Sequence, residues 1–304
     1  MKNKALVYLL AFSVLTFTGC GFDDDIVEYP TKAMLFTYQE YNRELVVGEG
    51  LRFKLGVVFA GLEKNDRNRK ATYEIDPSLV PEGCTLMPSD YYSCSDPSTI
   101  IVRKGELKGY MPVTIDSTKF VSDPMAMTGK YVIPFRLTAA DVDTIPVGKD
   151  YMVLHLKYLA KQFGYYQYSG KTVEVGGESR NYESVSTETT SVRQLITAGP
   201  NTLRMIADPY GTAADPAKTV DFSMLLGVPT SGGGKVAITP DPESGVEVTA
   251  NGESTYNAST KTFILRYKYV VGGKEYTAED ILVFRNRIRD DQGNGVKINE
   301  WEGF

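Results

Sequence analysis

The sequence predicts an all-β protein of two domains, an immunoglobulin-like β-sandwich followed by a small antiparallel β-barrel or curved sheet. Three observations carry this. Apolar residues alternate with polar ones in run after run, as in LRFKLGVVF and KYVIPFRL, which is the period-two burial of strands. Turn-forming clusters such as EKNDRNRK, DPSLVPEG and SDPMAMTGK separate these runs at intervals typical of a sandwich. A chain of 304 residues is longer than one core usually serves, and its 28 glycines, 15 prolines and 20 tyrosines favour short strands and many turns.

In chain order, Lys2 and Lys4 precede an uncharged run from Ala5 to Phe17, the charged and apolar regions of an export signal. The run is too short to span a bilayer, which needs about 20 apolar residues. Phe17-Thr18-Gly19-Cys20 then resembles a bacterial lipobox. That resemblance implies that residues 1–19 are a signal peptide and that Cys20, carrying a diacylglycerol, becomes the first residue of the mature chain. Two or three acyl chains on one cysteine give stable anchoring, at about 0.8 kcal/mol per buried methylene. Asp23, Asp24 and Asp25 resemble the acidic export tag of Bacteroidetes lipoproteins, implying the cell surface of the outer membrane, with the periplasmic face as the alternative. Residues 20–32 form the expected tether, reaching at most about 3.5 Å per residue.

The first domain is expected over residues 33–160. LRFKLGVVF places Leu51, Phe53, Leu55, Val57 and Phe59 on one face, and KYVIPFRL does the same with Tyr131, Ile133, Phe135 and Leu137. YMVLHLKY closes the set with Met152, Leu154 and Leu156 inward and His155 opposite. Cys84 and Cys94 lie ten apart among turn-forming residues. Outside the cytoplasm such a pair predicts a disulfide, worth about 3 kcal/mol for a loop of this size.

The second domain is expected over residues 161–304. LAKQFG leads into YYQYSGKTVEV, where Ser169-Gly170 suggests a hairpin turn. SVRQLITA, 191–198, predicts a short helix capped by Ser191. VDFSMLLGV, KVAIT and VEVTA supply further strands. The clearest hairpin is TFILRYKYVV, Gly272-Gly273, KEYTAEDILVF, with Phe263, Leu265, Tyr267 and Tyr269 on one face and Arg266 and Lys268 on the other.

With the lipobox, the acidic tether, YEIDPSLVPEG, STIIVRKGELKGYMPVTID, TGKYVIPFRL and the TFILRYKYVVGGKEYTAEDILVFR hairpin in this order, the chain resembles a two-domain family of Bacteroidetes surface lipoproteins. The resemblance implies an N-terminal immunoglobulin-like domain of the type also found ahead of family-18 endoglycosidase modules, and a C-terminal lipocalin-like barrel. It further implies a product of a glycan-utilisation locus, working beside a TonB-dependent importer and its lid lipoprotein.

The residues exclude several chemistries. A net charge of −5 with no basic stripe argues against nucleic acid as a partner. His155 is the only histidine, so two thiolates cannot complete a tetrahedral metal shell, and no cofactor or metal is expected. No DxxDxDxE run is present to supply the proton-donating glutamate of a family-18 glycosidase, nor is there a GxSxG. SGGGK, 231–235, has Pro229 where a phosphate loop needs its first glycine and Val236 where it needs Ser or Thr. RDDQGNGVKINEW resembles a calcium loop, but Trp301 falls where the bidentate Glu belongs. Aromatic rings remain as the candidate glycan platforms, since a pyranose lays its apolar face on Tyr or Trp. The candidates are Trp301, Tyr91, Tyr92, Tyr165, Tyr166 and Tyr210. The expected function is that of a non-catalytic, lipid-anchored glycan-binding protein, the alternatives being an adhesive protein with a protein partner or a carrier of a small apolar ligand in the barrel.

Overall fold

The structure, a computed structural model, describes residues 31–61, 64–182, 192–207, 222–289 and 295–296. Two large sheets account for the fold, and the chain passes from one to the other once.

The first sheet is built from β1 (Ala33–Leu35), β2 (Glu40–Val46), β3 (Arg52–Ala60), β4 (Arg69–Ile75), β5 (Thr85–Leu86), β6 (Tyr92–Cys94), β7 (Thr99–Val102), β8 (Lys108–Ile115), β9 (Tyr131–Ala140) and β10 (Tyr151–Leu159). Its strands run in the order β1-β3-β8-β7-β4-β9-β10-β2, with β5 alongside β9 and β6 alongside β8. The alternation expected in β3 holds: Leu51, Phe53, Leu55, Val57 and Phe59 are buried while Arg52 and Lys54 are exposed. Tyr131, Ile133, Phe135, Met152, Leu154 and Leu156 join the same core, and His155 is on the other side, half-buried, its Nδ1 3.4 Å from the Gly129 carbonyl oxygen. Most pairs are antiparallel, but β2 runs parallel to β10, Glu40 against Val153 through Val46 against Leu159. A short helix, α1 (Ser117–Ser122), follows β8. Asp116 caps it, accepting from the Thr118 and Lys119 amides at 2.9 and 3.1 Å, and it buries Phe120.

The expected disulfide is absent. Cys84 and Cys94 are free thiols. The loop between them is tied to two different strands, which explains why they do not meet. Cys84 adjoins β5, which pairs with β9, whereas Cys94 lies in β6 opposite Val113 of β8, and a 3₁₀ turn at Ser89–Tyr91 lies between.

The second sheet comprises β11 (Gly164–Glu174), β12 (Ser179–Tyr182), β13 (Val192–Gly199), β14 (Thr202–Ala207), β15 (Phe222–Gly227), β16 (Gly234–Lys235), β17 (Ala237–Pro240), β18 (Glu247–Ala250), β19 (Thr255–Asn257), β20 (Thr262–Val271) and β21 (Lys274–Asn286). The order β16-β19-β20-β21-β11-β13-β14-β15-β17, with β18 also on β20, curls into a nearly closed barrel. Its interior is filled: Leu195, Leu203, Met205, Met224, Leu226, Phe263, Leu265 and Tyr267 are all 0 % exposed.

Two local expectations are corrected here. Residues 192–199 are strand, not helix: Leu195 pairs with Met205 and Ile196 with Arg204. β-branched Val192, Ile196 and Thr197 suit a pleated surface, and the neighbouring strand decides the outcome. Ser169-Gly170 is no turn either, because β11 runs straight through it, Ser169 opposite Ile281 and Gly170 opposite Asp280. A Cβ at Gly170 would collide with the Glu279 carbonyl oxygen and come within 2.7 Å of the Tyr182 ring and 2.9 Å of the Asp280 carboxylate. The glycine is there for close approach. The Gly272-Gly273 hairpin is as expected, with φ of +58° and +76°, the left-handed pair that a two-residue turn requires.

Candidate functional site

The connector between the sheets, residues 160–163, is short, and it holds the barrel against the sandwich. Val46 and Leu159 at the ends of β2 and β10 pack with Phe163. The Ala160 amide donates to Thr197 Oγ1 at 2.9 Å, and Arg287, just past β21, reaches back to the Lys161 carbonyl oxygen at 2.9 Å and to the Glu49 carboxylate at 2.5 Å. These contacts leave a cleft of about 160 Å³ at the junction.

Each wall of the cleft has a local cause. Glu49 is in the turn after β2, held by its own amide donating to the Val46 carbonyl oxygen at 3.1 Å. Lys161 and Gln162 come from the connector itself. Tyr166 enters from β11, where a bulge next to Tyr165 shifts the register so that Tyr165 opposes Asn286 and Tyr166 opposes Phe284. Its hydroxyl donates to the Gln162 carbonyl oxygen at 2.7 Å and its ring meets Phe263 and Phe284 edge-on, both at 5.5 Å. Burial pushes its phenol far above the ordinary value. Tyr256 of β19 lies with its ring 4.5 Å from that of Phe263; burial raises its phenol, and the nearby Arg287 guanidinium opposes the rise. Lys261, in the turn before β20, holds its ammonium 4.8 Å from the centroid of Phe284. The cleft therefore combines aromatic walls with charged side chains at a domain junction, a place where ligand sites form preferentially. Its single described carboxylate, Glu49, is tied to Arg287.

Of the aromatic residues singled out from the sequence, the structure brings Tyr166 into this cleft, at 1 % exposure. Tyr165, its neighbour on β11, is half-buried. Tyr91 and Tyr92 pack on the sandwich core instead. The Tyr91 hydroxyl donates to Asp123 Oδ2 at 3.1 Å and its ring meets Tyr131 edge-on at 5.9 Å, while burial pushes the Tyr92 phenol up to about 12. Cys20, Tyr210 and Trp301 lie outside the described residues. Glu49, Lys161, Tyr256, Lys261, Phe284 and Arg287 carried no local signal. The one available pointer was the domain boundary itself, since pockets form preferentially between domains.

A second cluster sits inside the barrel. Asp280 is 0 % exposed and accepts from the hydroxyls of Tyr182 and Tyr267, the latter at 2.7 Å. Tyr168 stacks on Tyr182 with centroids 5.0 Å apart, and Arg193 lies 4.9 Å over Tyr168. Burial dominates over these hydrogen bonds and pushes the Asp280 carboxyl up to about 6.

Comparison with known proteins adds three kinds of finding. One family model, of an N-terminal domain, matches residues 26–144, and a second, of a C-terminal domain, matches residues 152–282. No curated protein matches. Among solved structures, a Bacteroides ovatus protein of unknown function is similar with a TM-score of 0.67 at 18 % identity, over 85 % of this chain and 95 % of that one. An auxiliary nutrient binding protein from Bacteroides thetaiotaomicron aligns with a TM-score of 0.44 at 14 % identity, over 81 % of this chain and 90 % of that one. EndoBT-3987 of Bacteroides thetaiotaomicron, solved with a Man5GlcNAc product, aligns over 40 % of this chain and 29 % of that one, with a TM-score of 0.31 and 14 % identity. The first of these shows that the whole two-domain fold recurs.

Proposed function

We propose that this chain, which belongs to the two-domain Bacteroidetes family of an immunoglobulin-like domain followed by a lipocalin-like barrel, is a non-catalytic glycan-binding lipoprotein that holds saccharide in the junction cleft. The observation that carries the reading is the cleft itself, where Tyr256 and Phe284 supply apolar walls and Lys161 and Lys261 line it as donors for sugar hydroxyls. A glycosidase needs two carboxyl groups roughly 5–9.5 Å apart astride the scissile bond. The described cleft offers Glu49 alone, already neutralised by Arg287.

At about 160 Å³ the cleft is smaller than the roughly 300–1,000 Å³ of pockets for drug-sized ligands, which suits one sugar unit or a chain end. One such contact is weak. Many copies on a membrane gain effective concentration without further contacts, so weak sites suffice for polymer capture. In this reading Cys20 carries the acyl anchor, the acidic residues after it direct the protein to the outer face, and captured glycan passes to a TonB-dependent importer and its lid lipoprotein. The filled barrel interior favours this over carriage of an apolar ligand.

A glycan array probed with the purified protein is the test. On any saccharide that binds, Phe284→Leu keeps apolar volume but removes the flat ring, and should weaken binding without unfolding the protein. Retention of all binding by this variant would move the site elsewhere. An array without hits, alongside capture of a defined protein partner, would replace the reading with the adhesive one. For the anchor, mass spectrometry of the mature amino terminus should find a diacylglyceryl group on Cys20, and an unmodified thiol would remove it.

A further inference from the structure

The charges around the junction point to the class of saccharide bound, an inference that rests on the glycan-binding reading. The cleft is lined by Lys161, Lys261 and Arg287, and it shares Glu49 with an adjoining hollow of about 180 Å³ lined by Arg43, Arg52 and Glu44. Among the described residues, five cations and two carboxylates line the two hollows, in a chain whose formal net charge is −5. Both carboxylates are already engaged, Glu49 with Arg287 at 2.5 Å and Glu44 with Lys157 at 2.7 Å. Among the described residues neither Lys161 nor Lys261 pairs with a carboxylate, whereas Arg287 is engaged by Glu49 and by the Lys161 carbonyl oxygen. A concave surface with one dominant sign of charge and low-dielectric walls concentrates its field on whatever enters.

Lys261 adds an independent observation. It is the one non-glycine residue among those described with a positive φ, at +50°. Asn257 sets up its turn, accepting from the amides of Ser259 and Thr260 at 3.0 and 3.2 Å. Glycine would adopt this conformation without the steric penalty that an L side chain meets. A strained backbone position that carries a lysine into a cleft is a pointer to function.

We propose that the cleft takes an acidic saccharide, one bearing carboxylate or sulfate groups, and that Lys161 and Lys261 hold its anion. Neutral sugars would use the same walls without the charge interaction.

Titration calorimetry on the purified protein with three probes tests this: an oligogalacturonate for the carboxylate, a carrageenan oligosaccharide for the sulfate, and a neutral manno-oligosaccharide. One acidic probe should bind at least about tenfold more tightly than the neutral one, a difference of about 1.4 kcal/mol. The preference should collapse between about 0.1 M and about 1 M salt, as the screening length falls from about 10 to about 3 Å. Lys161→Gln should weaken acidic binding several-fold. Lys261→Gly should do the same while raising the melting temperature, a combination that a purely structural lysine would not produce. Equal affinity for the neutral probe, unchanged by salt and by both variants, would overturn the acidic preference and leave glycan binding standing. No binding of any probe, with no hit on the array, would remove both readings.

Discussion

At the scale of single residues, the most telling group is Asp280, a carboxylate with no exposure whose partners are tyrosine hydroxyls. Its folded pKa of about 6 lies above the ordinary 3.8, so the folded protein keeps a proton that the unfolded chain releases. The associated stability is full below about pH 4 and is lost as pH rises through about 6, amounting to ~3 kcal/mol. Asp280→Asn cannot ionise, so denaturant midpoints of the variant should lack this fall between about pH 4 and about pH 7. An identical slope in the two proteins would show that another group titrates. Asp76 acts in the opposite sense and in a separate window. Hydrogen bonds from Ser78 and Arg136 hold it at about 2, so its contribution is present above 3.8 and disappears as pH falls toward 2. Gly170 is the neighbouring test of packing. Gly170→Ala drives a methyl into the Glu279 backbone and the Tyr182–Asp280 pair, and should cost about 1–3 kcal/mol in chemical unfolding. Nothing local in Ser169-Gly170 separates this role from that of a turn, because the atoms it must avoid belong to β12 and β21.

At the scale of elements, the hairpin of β20 and β21 is the part most legible in the sequence. Its alternation, its Gly-Gly turn and its cross-strand pairs Arg266–Glu279 at 2.7 Å and Lys268–Glu275 at 3.2 Å are all local in origin. A Cβ at Gly273 would meet nothing within 4 Å, so Gly273→Ala isolates the backbone penalty of a φ of +76°. It should lower stability by about 1–2 kcal/mol without altering the barrel core, a shift readable from thermal melts. A much larger loss would mean that the turn also makes contacts beyond its own backbone. Residues 192–199 teach the reverse. The segment can be written as a capped helix, yet it forms a strand because β11 and β14 flank it and satisfy its backbone on both sides. Among the described residues a helix forms instead at α1, which rests on Asp116 as a cap and on Phe120 as an anchor in the core.

At the scale of the whole molecule, the two domains are joined by four residues and by contacts across the junction, among them the 3₁₀ turn Pro124–Met127 against β13. Phe163 packs on the buried Val46 and Leu159, while the Lys161 and Gln162 carbonyls are pinned by Arg287 and Tyr166. Domains of one chain move relative to one another when the contacts between them are weakened. Phe163→Ala should therefore speed tryptic cleavage after Lys161 and separate thermal unfolding into two transitions, with each sheet retaining its own core. A single transition and unchanged cleavage would show that the polar contacts suffice. In the proposed reading the same loosening should also weaken saccharide binding, because Glu49 reaches the cleft from the first domain and holds Arg287 there.

What the sequence determined by itself is whatever depends on neighbours along the chain: the alternating strands, the glycine hairpin and the two-domain order. Tertiary structure decided the rest. Cys84 and Cys94 stay apart because their strands answer to β9 and β8. Tyr91 and Tyr92 turn to the core, while Glu49, Lys161, Lys261 and Arg287 meet although they are scattered from the first domain to the end of the last long strand. The physical reason is that period-two patterning fixes which face a side chain takes within its strand, whereas a site between domains is set by contacts across many residues. No local pattern encodes those contacts.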